Sequence, residues 1–563
     1  MANLLSAIDY ILFCGLLLCS AGIGVYFALT GGKQRTTSEW LMGNKELHWL
    51  PAAASLIVSF TSAVTLLGTP AEVYKNGVMF TLYALLSLVE MPFTAHVIVP
   101  FFRRLSTASM FNYIQLRFNS TVKVTTVFIF LIQMTSYLSI VLYAPALALS
   151  AVTGLSLHLT IFSTGCICVA YTVFGGIKAV IWSDALQGIL MAIGVILVLV
   201  VGTITVGGPL AIYEVAKAGH RLDIDWRIDP TIRHTIPAIF IGGFFHMVCI
   251  SSCNQVMIQR YVSLRTNTEA RKAVYFTLPM YFLITFLTGY LGLLIFTYFA
   301  TCDPLANQTI SKSDQILPLL IVRLFNTIPG FTGIFVCAIF SGSLSTISSG
   351  VNSIGCVIIE DIMPLLFPIT MSSISDSKKA FYAKLSALGF GFAAIALSFS
   401  MVYIGPIIQS SLSILGVFNG PVLGVFFLGM FSRRANSFGA LCGLFLSLSV
   451  NLFLMLGKTV SKFSTHSPPL INSNCSDMAP FQKVDVLNFA LKDYNPKTEI
   501  NYSMFSLEYL FRLSYFWYSA IGVCVTFFVG YTVSLFGNSM DIKDSKLIFS
   551  VKSKEEKLGV SEV

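Results

Sequence analysis

The chain has 563 residues, 55% of them hydrophobic and only 11% charged, with a mean hydropathy of +0.79. So few charges exclude an ordinary water-soluble domain and point to an all-α polytopic membrane protein. The formal charge of +9 does not indicate nucleic acid, because the basic residues are scattered over loops and form no groove with interleaved aromatics.

Apolar runs able to cross roughly 30 Å of hydrocarbon fall at Ala7–Leu29, Leu50–Thr69, Val78–Phe102, Val124–Ser150, Leu157–Phe174, Trp182–Val206, Ile236–Ile258, Val274–Phe299, Phe331–Ile358, Leu385–Val402, Ile407–Phe431, Phe438–Leu456 and Ser514–Phe536, which predicts 13 spans. The first has no basic flank or small-residue cleavage site and reads as a retained helix rather than a signal peptide. With the N-terminus outside, the loops carrying Lys33, Arg35, Arg103, Arg104, Arg117, Lys123, Lys178, Arg260, Arg265, Arg271, Lys378, Lys379, Arg433 and Arg434 all fall on the cytoplasmic side. The lysine-rich tail from Lys543 to Lys557 falls there too, as the positive-inside rule requires. Sequons at Asn307, Asn474 and Asn501 then lie in outside loops, and a fourth at Asn119 is cytoplasmic and silent. Most of the 12 cysteines lie within predicted spans as small apolar fillers. Cys302 and Cys475 sit in outside loops, where a bridge between them and a pair of free thiols are both open.

The stretch Phe340–Ser353 places a run of small hydroxyl residues inside the ninth span. Gly342, Ser345, Thr346 and Ser349 follow an i, i+3, i+4, i+7 pattern and share one helix face. Lipid offers such hydroxyls no partner, so this face belongs in the bundle interior or on an aqueous path. Neutral hard oxygens suit a small hard cation, for which sodium is the plausible choice. The competing reading is that small residues simply let helices pack closely. Asp184, just inside an apolar helix, is a functional candidate by its cost alone, or else forms an interfacial ion pair with Lys178. Gln187 follows it within a turn, and Glu90, His96 and His246 are the other ionisable groups placed within spans.

Three ordered motifs, Tyr171–Gln187, Asn254–Tyr261 and the hydroxyl run around Ser345, resemble the sodium:solute symporter family over about residues 9–456. Tyr143-Ala-Pro-Ala-Leu147 and Ser62–Tyr74 are similar to the branch carrying iodide, monocarboxylates and water-soluble vitamins. The resemblance implies a five-plus-five inverted repeat of the leucine-transporter type, made of spans 2–6 and 7–11, with the first helix of each repeat broken near the bilayer midplane. It implies four regions: an extra helix within 1–30, a transport core at 50–431, two further helices at 432–536 with an extracellular loop at 458–511, and a cytoplasmic tail at 537–563. The hydroxyl-rich second span, ending at Gly68 and Pro70, and the Gly242-Gly243 pair in the seventh fit helices interrupted at matching positions.

By family position, sodium takes carbonyls of Val58 and Thr61, the Gly342 carbonyl and the hydroxyls of Ser345 and Thr346, with Asp184 below or beside the ion. Ser62, Thr65, Tyr143, His246 and Ser251 are expected to line a midplane solute cavity. Sugar and iodide members carry glutamine where this chain has Thr65, and no arginine is expected mid-span to neutralise an anion. These features imply a sodium-coupled, alternating-access plasma-membrane symporter for small organic anions such as monocarboxylates. The alternatives are a biotin or pantothenate carrier, an iodide-type carrier, and a non-coupling sensor or channel on the same fold. No enzyme is expected, as there is no nucleophile–base pair, phosphate-cradling loop or transition-metal cluster. No cofactor is expected beyond Na+ as coupling ion, and no partners beyond membrane lipid, sodium and solute. The exception is the C-terminal Ser561-Glu-Val563, of a type that can add a strand to a PDZ domain.

Overall fold

The computed structural model describes residues 6–30, 36–45, 47–105, 107–325, 328–461, 468, 507–537 and 545–549, and these are almost entirely helical. Asn474, Cys475, Asn501 and Ser561–Val563 lie outside them. Every predicted span has a counterpart. Among the described residues, ten helices are long and apolar enough to cross a membrane unaided: span 1 (Ala7–Tyr26), span 3 (Val78–Leu105), span 4 (Ser120–Thr153), span 6 (Gly176–Thr205), span 8 (Asn267–Tyr298), span 9 (Phe331–Leu366), span 10 (Asp376–Tyr403), span 11 (Ile407–Phe431), span 12 (Ser437–Ser461) and span 13 (Trp517–Leu535). Span 5 (Leu157–Ala170) is shorter and runs on into span 6 through Gly176, whose φ of 63° only a residue without Cβ adopts easily.

Two spans are broken. Span 2 is Trp49–Phe60 followed by Ala63–Asn76 with a 46° bend, and span 7 is Ala238–Ser252 followed by Gln255–Ser263 with a 52° bend. They stand at matching places, five spans apart, as the inverted repeat requires. Both reach farther than hydropathy indicated, because their second halves mix polar residues into the apolar run. Arg260 is therefore not a loop residue. It lies within the second half of span 7 and is buried.

Span 9 is almost wholly enclosed by its neighbours, whereas span 1 leaves most of its surface outward. That placement follows from sequence: a helix carrying so many hydroxyls gains by hiding from lipid, and a purely apolar one loses nothing by facing it. Local signals start the helices where expected. Ser6 and Asp9 form a capping box on span 1, and Asp9 also accepts from the Gly333 N–H at 2.7 Å, tying span 1 to the start of span 9. Thr266 caps span 8 through Glu269, and Asn119 caps span 4 through Val122 at 2.9 Å.

Several basic residues assigned to the cytoplasmic side also close helix ends. Arg117 donates to the carbonyls of Gly429, Ser432 and Ala435, and Arg103 to those of Tyr261 and Leu264. Lys123 pairs with Asp361 at 2.9 Å, both side chains buried. Cys302 takes part in a disulfide, while ten other cysteines are free. Asn307 is exposed, whereas the Asn119 carboxamide is committed to its cap. Asn307→Gln should therefore remove a glycosidase-sensitive mobility shift, and Asn119→Gln should leave the pattern unchanged, as read on immunoblots of the expressed protein.

Candidate functional site: a cavity between two broken helices

The backbone ladder of span 2 stops at Thr61, whose N–H bonds to Ile57 and Val58, and restarts at Ser62, whose carbonyl accepts from Thr65 and Leu66. Between them the chain is extended, with ψ of 86° at Thr61 and 173° at Ser62. Span 9 presses Gly342 against this break. A Cβ built on Gly342 would lie 2.8 Å from the Ala63 nitrogen and 3.1 Å from the Ser62 carbonyl carbon, so the approach requires glycine. Span 6 closes from another side, where a Cβ on Gly188 would meet a Val58 methyl at 2.6 Å. Val58, Thr61, Gly342, Ser345, Thr346 and Asp184 are thus carried by three elements that meet at one break.

The hydroxyls of span 9 divide into two kinds. Ser343, Ser348 and Ser353 are satisfied by the carbonyls of Val141, Ser345 and Gly350. Thr346 donates to Gly342 at 3.0 Å, which leaves its oxygen lone pairs available. Ser345 Oγ, Thr61 Oγ1 and Asp184 Oδ1 are buried without any hydrogen-bond partner. Ser345 stands next to the Asp184 carboxylate without closing a bond to it. Close packing alone does not account for orphaned oxygens, each of which costs a few kcal/mol if nothing fills the site. A small cation fits this donor set of neutral oxygens with one carboxylate at its edge.

Asp184 has a second engagement that sequence reasoning missed. Its Oδ2 accepts from Arg260 Nη2 at 3.0 Å and from Ser55 Oγ at 2.5 Å. Arg260 also donates to Ser55 at 2.8 Å and to Ser349 at 2.6 Å. The ion partner of Asp184 is Arg260, not Lys178. A buried arginine in the second half of a span also corrects the expectation that no such cation lies within the core. Its position inside the Asn254–Tyr261 motif, two residues after the apolar Val256–Ile258, was the available signal.

Above this layer lies a cavity of about 100 Å³, several times the room one water needs. Ser59, Ser62, Thr65, Thr69 and Tyr83 line it from spans 2 and 3, Tyr137 from span 4, Asn254 and Met257 from span 7, and Thr346 and Ser349 from span 9. Ser62 and Thr65 are where the sequence reading put them. Tyr143, His246 and Ser251 lie outside the lining. Tyr143 packs beneath Lys312, whose Nζ is 5.1 Å from the ring centre. His246 bonds Ser519 of span 13 at 3.0 Å, and Ser251 bonds Thr94 at 3.1 Å, which in turn donates to Glu90 at 2.6 Å. Each was placed by helix position alone, and a rotation of about one residue along the helix exchanges a cavity face for a packing face.

At the end of the cavity away from Asp184 stands a second buried ion pair. Glu72, three residues beyond the lining Thr69, takes both prongs of Arg233 at 2.6 and 2.8 Å. The cavity therefore lies between Glu72–Arg233 and Asp184–Arg260, each joining a half of span 2 or its neighbours to span 7 or its approach.

A family model for the sodium:solute symporter family matches residues 40–447. The chain belongs to that family. The sodium-coupled monocarboxylate transporter 1 of Mus musculus is 36% identical over 540 residues, covering 94% of this chain and 86% of the relative. The sodium-dependent multivitamin transporter of Oryctolagus cuniculus is 35% identical over 536 residues, covering 95% and 83%. Among solved structures, a Na+-coupled sialic acid symporter in a substrate-bound outward-open state superposes with a TM-score of 0.74 at 23% identity, covering 95% of this chain and 99% of that one. That likeness shows the fold: a helical bundle of the inverted-repeat, leucine-transporter type.

Gly342→Ala should drive the span 2 break away from span 9 and abolish sodium-induced thermal stabilisation. Gly202→Ala, whose Cβ meets the flexible side chain of Leu294, its methyls at 2.9 Å, should retain it. Asp314, in the loop before span 9, accepts from Ile407 N–H at 3.1 Å, and burial pushes its carboxyl up from 3.8 to about 6. A raised carboxyl holds its proton more tightly in the folded form, so its contribution is full below pH 3.8 and lost as pH rises through 6. Asp314→Asn keeps the acceptor and removes the charge. Its stabilising effect should be small near pH 4, grow to pH 6, then level off at no more than about 3 kcal/mol, as read from melting curves across that range.

Proposed function

We propose that this protein is a plasma-membrane, sodium-coupled secondary active symporter for small monocarboxylates, working by alternating access, with its N-terminus outside and its C-terminal tail in the cytoplasm. Sodium is held at the span 2 break by carbonyls of Val58, Thr61 and Gly342 and the hydroxyls of Ser345 and Thr346. The free oxygen of Asp184 lies beside the ion, and Arg260 takes the other. The solute occupies the cavity above, with Ser62 and Thr65 among its contacts.

The observation that carries this reading is the conjunction of orphaned oxygens at the break with a small cavity directly adjoining it. Thr346 belongs to both, being a candidate ion ligand that also lines the cavity. Ion and solute can therefore sense each other through one side chain. The solute class is supported by the lining. Ser59, Thr69 and Tyr83 each carry a hydroxyl with no protein partner, which suits a carboxylate that needs donors. The cavity has room for a few-carbon acid. The multivitamin reading rests on the names of relatives equally similar to this chain.

Each sodium crossing roughly 70 mV and a tenfold gradient contributes about 1.6 and 1.4 kcal/mol. One ion thus supports about a hundredfold accumulation, less the work of moving an anion against the potential. Sodium-dependent uphill uptake of lactate, competed by other short acids but not by biotin or iodide, tests the assignment; uptake that only equilibrates, or prefers biotin, contradicts it. Thr346→Ala should raise the half-activating sodium concentration at least fivefold with little change in solute preference. Thr65→Gln should change preference and leave sodium activation near normal.

A further inference from the structure

The Glu72–Arg233 pair has a role that helix packing alone does not require. Glu72 sits on the second half of span 2, one turn beyond the lining Thr69. Arg233 comes from the chain leading into span 7 and spends its third nitrogen on Gln409 at 2.5 Å. Gln409 begins span 11, between the lining residues Ile408 and Ser411. Span 2, the approach to span 7 and span 11 are thus joined by one guanidinium. Its side chain is 9% exposed and that of Glu72 3%. Beside them His234 bonds the Tyr515 hydroxyl at 2.7 Å, and burial lowers its pKa to about 4. It is therefore neutral at pH 7, and Arg233 supplies the positive charge bonded to Glu72.

Opening the cavity toward this end separates span 2 from the approach to span 7. Removing a partner from a buried, hydrogen-bonded charge pair is costly because each charge is left uncompensated. The cost falls if something else offers the guanidinium two coplanar oxygens. A carboxylate solute does so, with the geometry Glu72 already uses. We propose that Arg233 is the outer receiving site for the solute's carboxylate, and that Glu72 is a resident stand-in which the incoming acid displaces. This rests on the monocarboxylate reading above. The lining hydroxyls then take over the carboxylate as Arg233 returns to Glu72 and closes the way behind it. Recognition at this step selects anions with a forked acceptor and rejects neutral amides of the same shape.

The test is sodium-driven uptake of radiolabelled lactate in proteoliposomes with matched protein amounts. The variants are Arg233→Gln, Arg233→Lys, Glu72→Gln and the double Glu72→Gln/Arg233→Gln. The double variant leaves no unpaired buried charge, so a purely structural staple recovers there. The expected result is that it retains uptake with a lactate KM raised at least tenfold and a sodium half-activation within twofold of the parent. Arg233→Lys, with charge but no fork, should fall between parent and double variant. Glu72→Gln should lower the KM severalfold, because the competing carboxylate is gone. A double variant with the parental KM, or Glu72→Gln raising KM as much as Arg233→Gln, overturns the receiving role alone. A parent protein that accumulates no monocarboxylate overturns the solute reading and this inference together.

Discussion

A helix interrupted halfway across hydrocarbon leaves backbone groups that lipid cannot satisfy, and the rest of this bundle is arranged around accommodating two such interruptions. The break at Thr61–Ser62 survives because Gly342 brings span 9 against it without a side chain between. That one contact dictates the neighbours: span 9 must be central, its hydroxyls must face the break, and Gly188 must let span 6 close on Val58. Oxygens that find no protein partner gather at this break, and several of the proposed sodium ligands are drawn from them.

Two buried ion pairs then bracket the cavity, and their asymmetry is informative. Arg260 ties Asp184 to Ser55 and Ser349, so the second half of span 7 is fastened to spans 2, 6 and 9. Arg233 ties Glu72 to Gln409, fastening the second half of span 2 to span 11. Alternating access requires one fastening to loosen while the other holds, since loosening both exposes a continuous path. Buried pairs suit this duty because they are stable when made and costly when half made, which favours discrete states over gradual opening.

Much of this was legible in the amino-acid sequence, for identifiable reasons. Thirteen hydrophobic segments emerged because spanning length is a strong constraint, and Gly342, Ser345 and Thr346 emerged because hydroxyls at helical spacing are conspicuous in an apolar run. The family was readable in three ordered motifs. What did not emerge depended on distances between chain segments. Arg260 was assigned to a cytoplasmic loop and Arg233 was not singled out, since a guanidinium's partner 76 or 161 residues away leaves no local trace. Tyr143, His246 and Ser251 sit on helices that line the cavity but turn to packing contacts outside it, a difference that hydropathy does not resolve on helices apolar around most of their surface.

Ion and carboxylate are proposed to share one bundle interior and to report on each other through it. Equilibrium binding of radioactive sodium to the purified protein, with and without lactate, measures this most directly. The account predicts saturable sodium binding that lactate tightens, and lactate binding that sodium tightens by the same factor, as linkage demands. Sodium binding that is absent, or that is indifferent to lactate at every concentration, contradicts it.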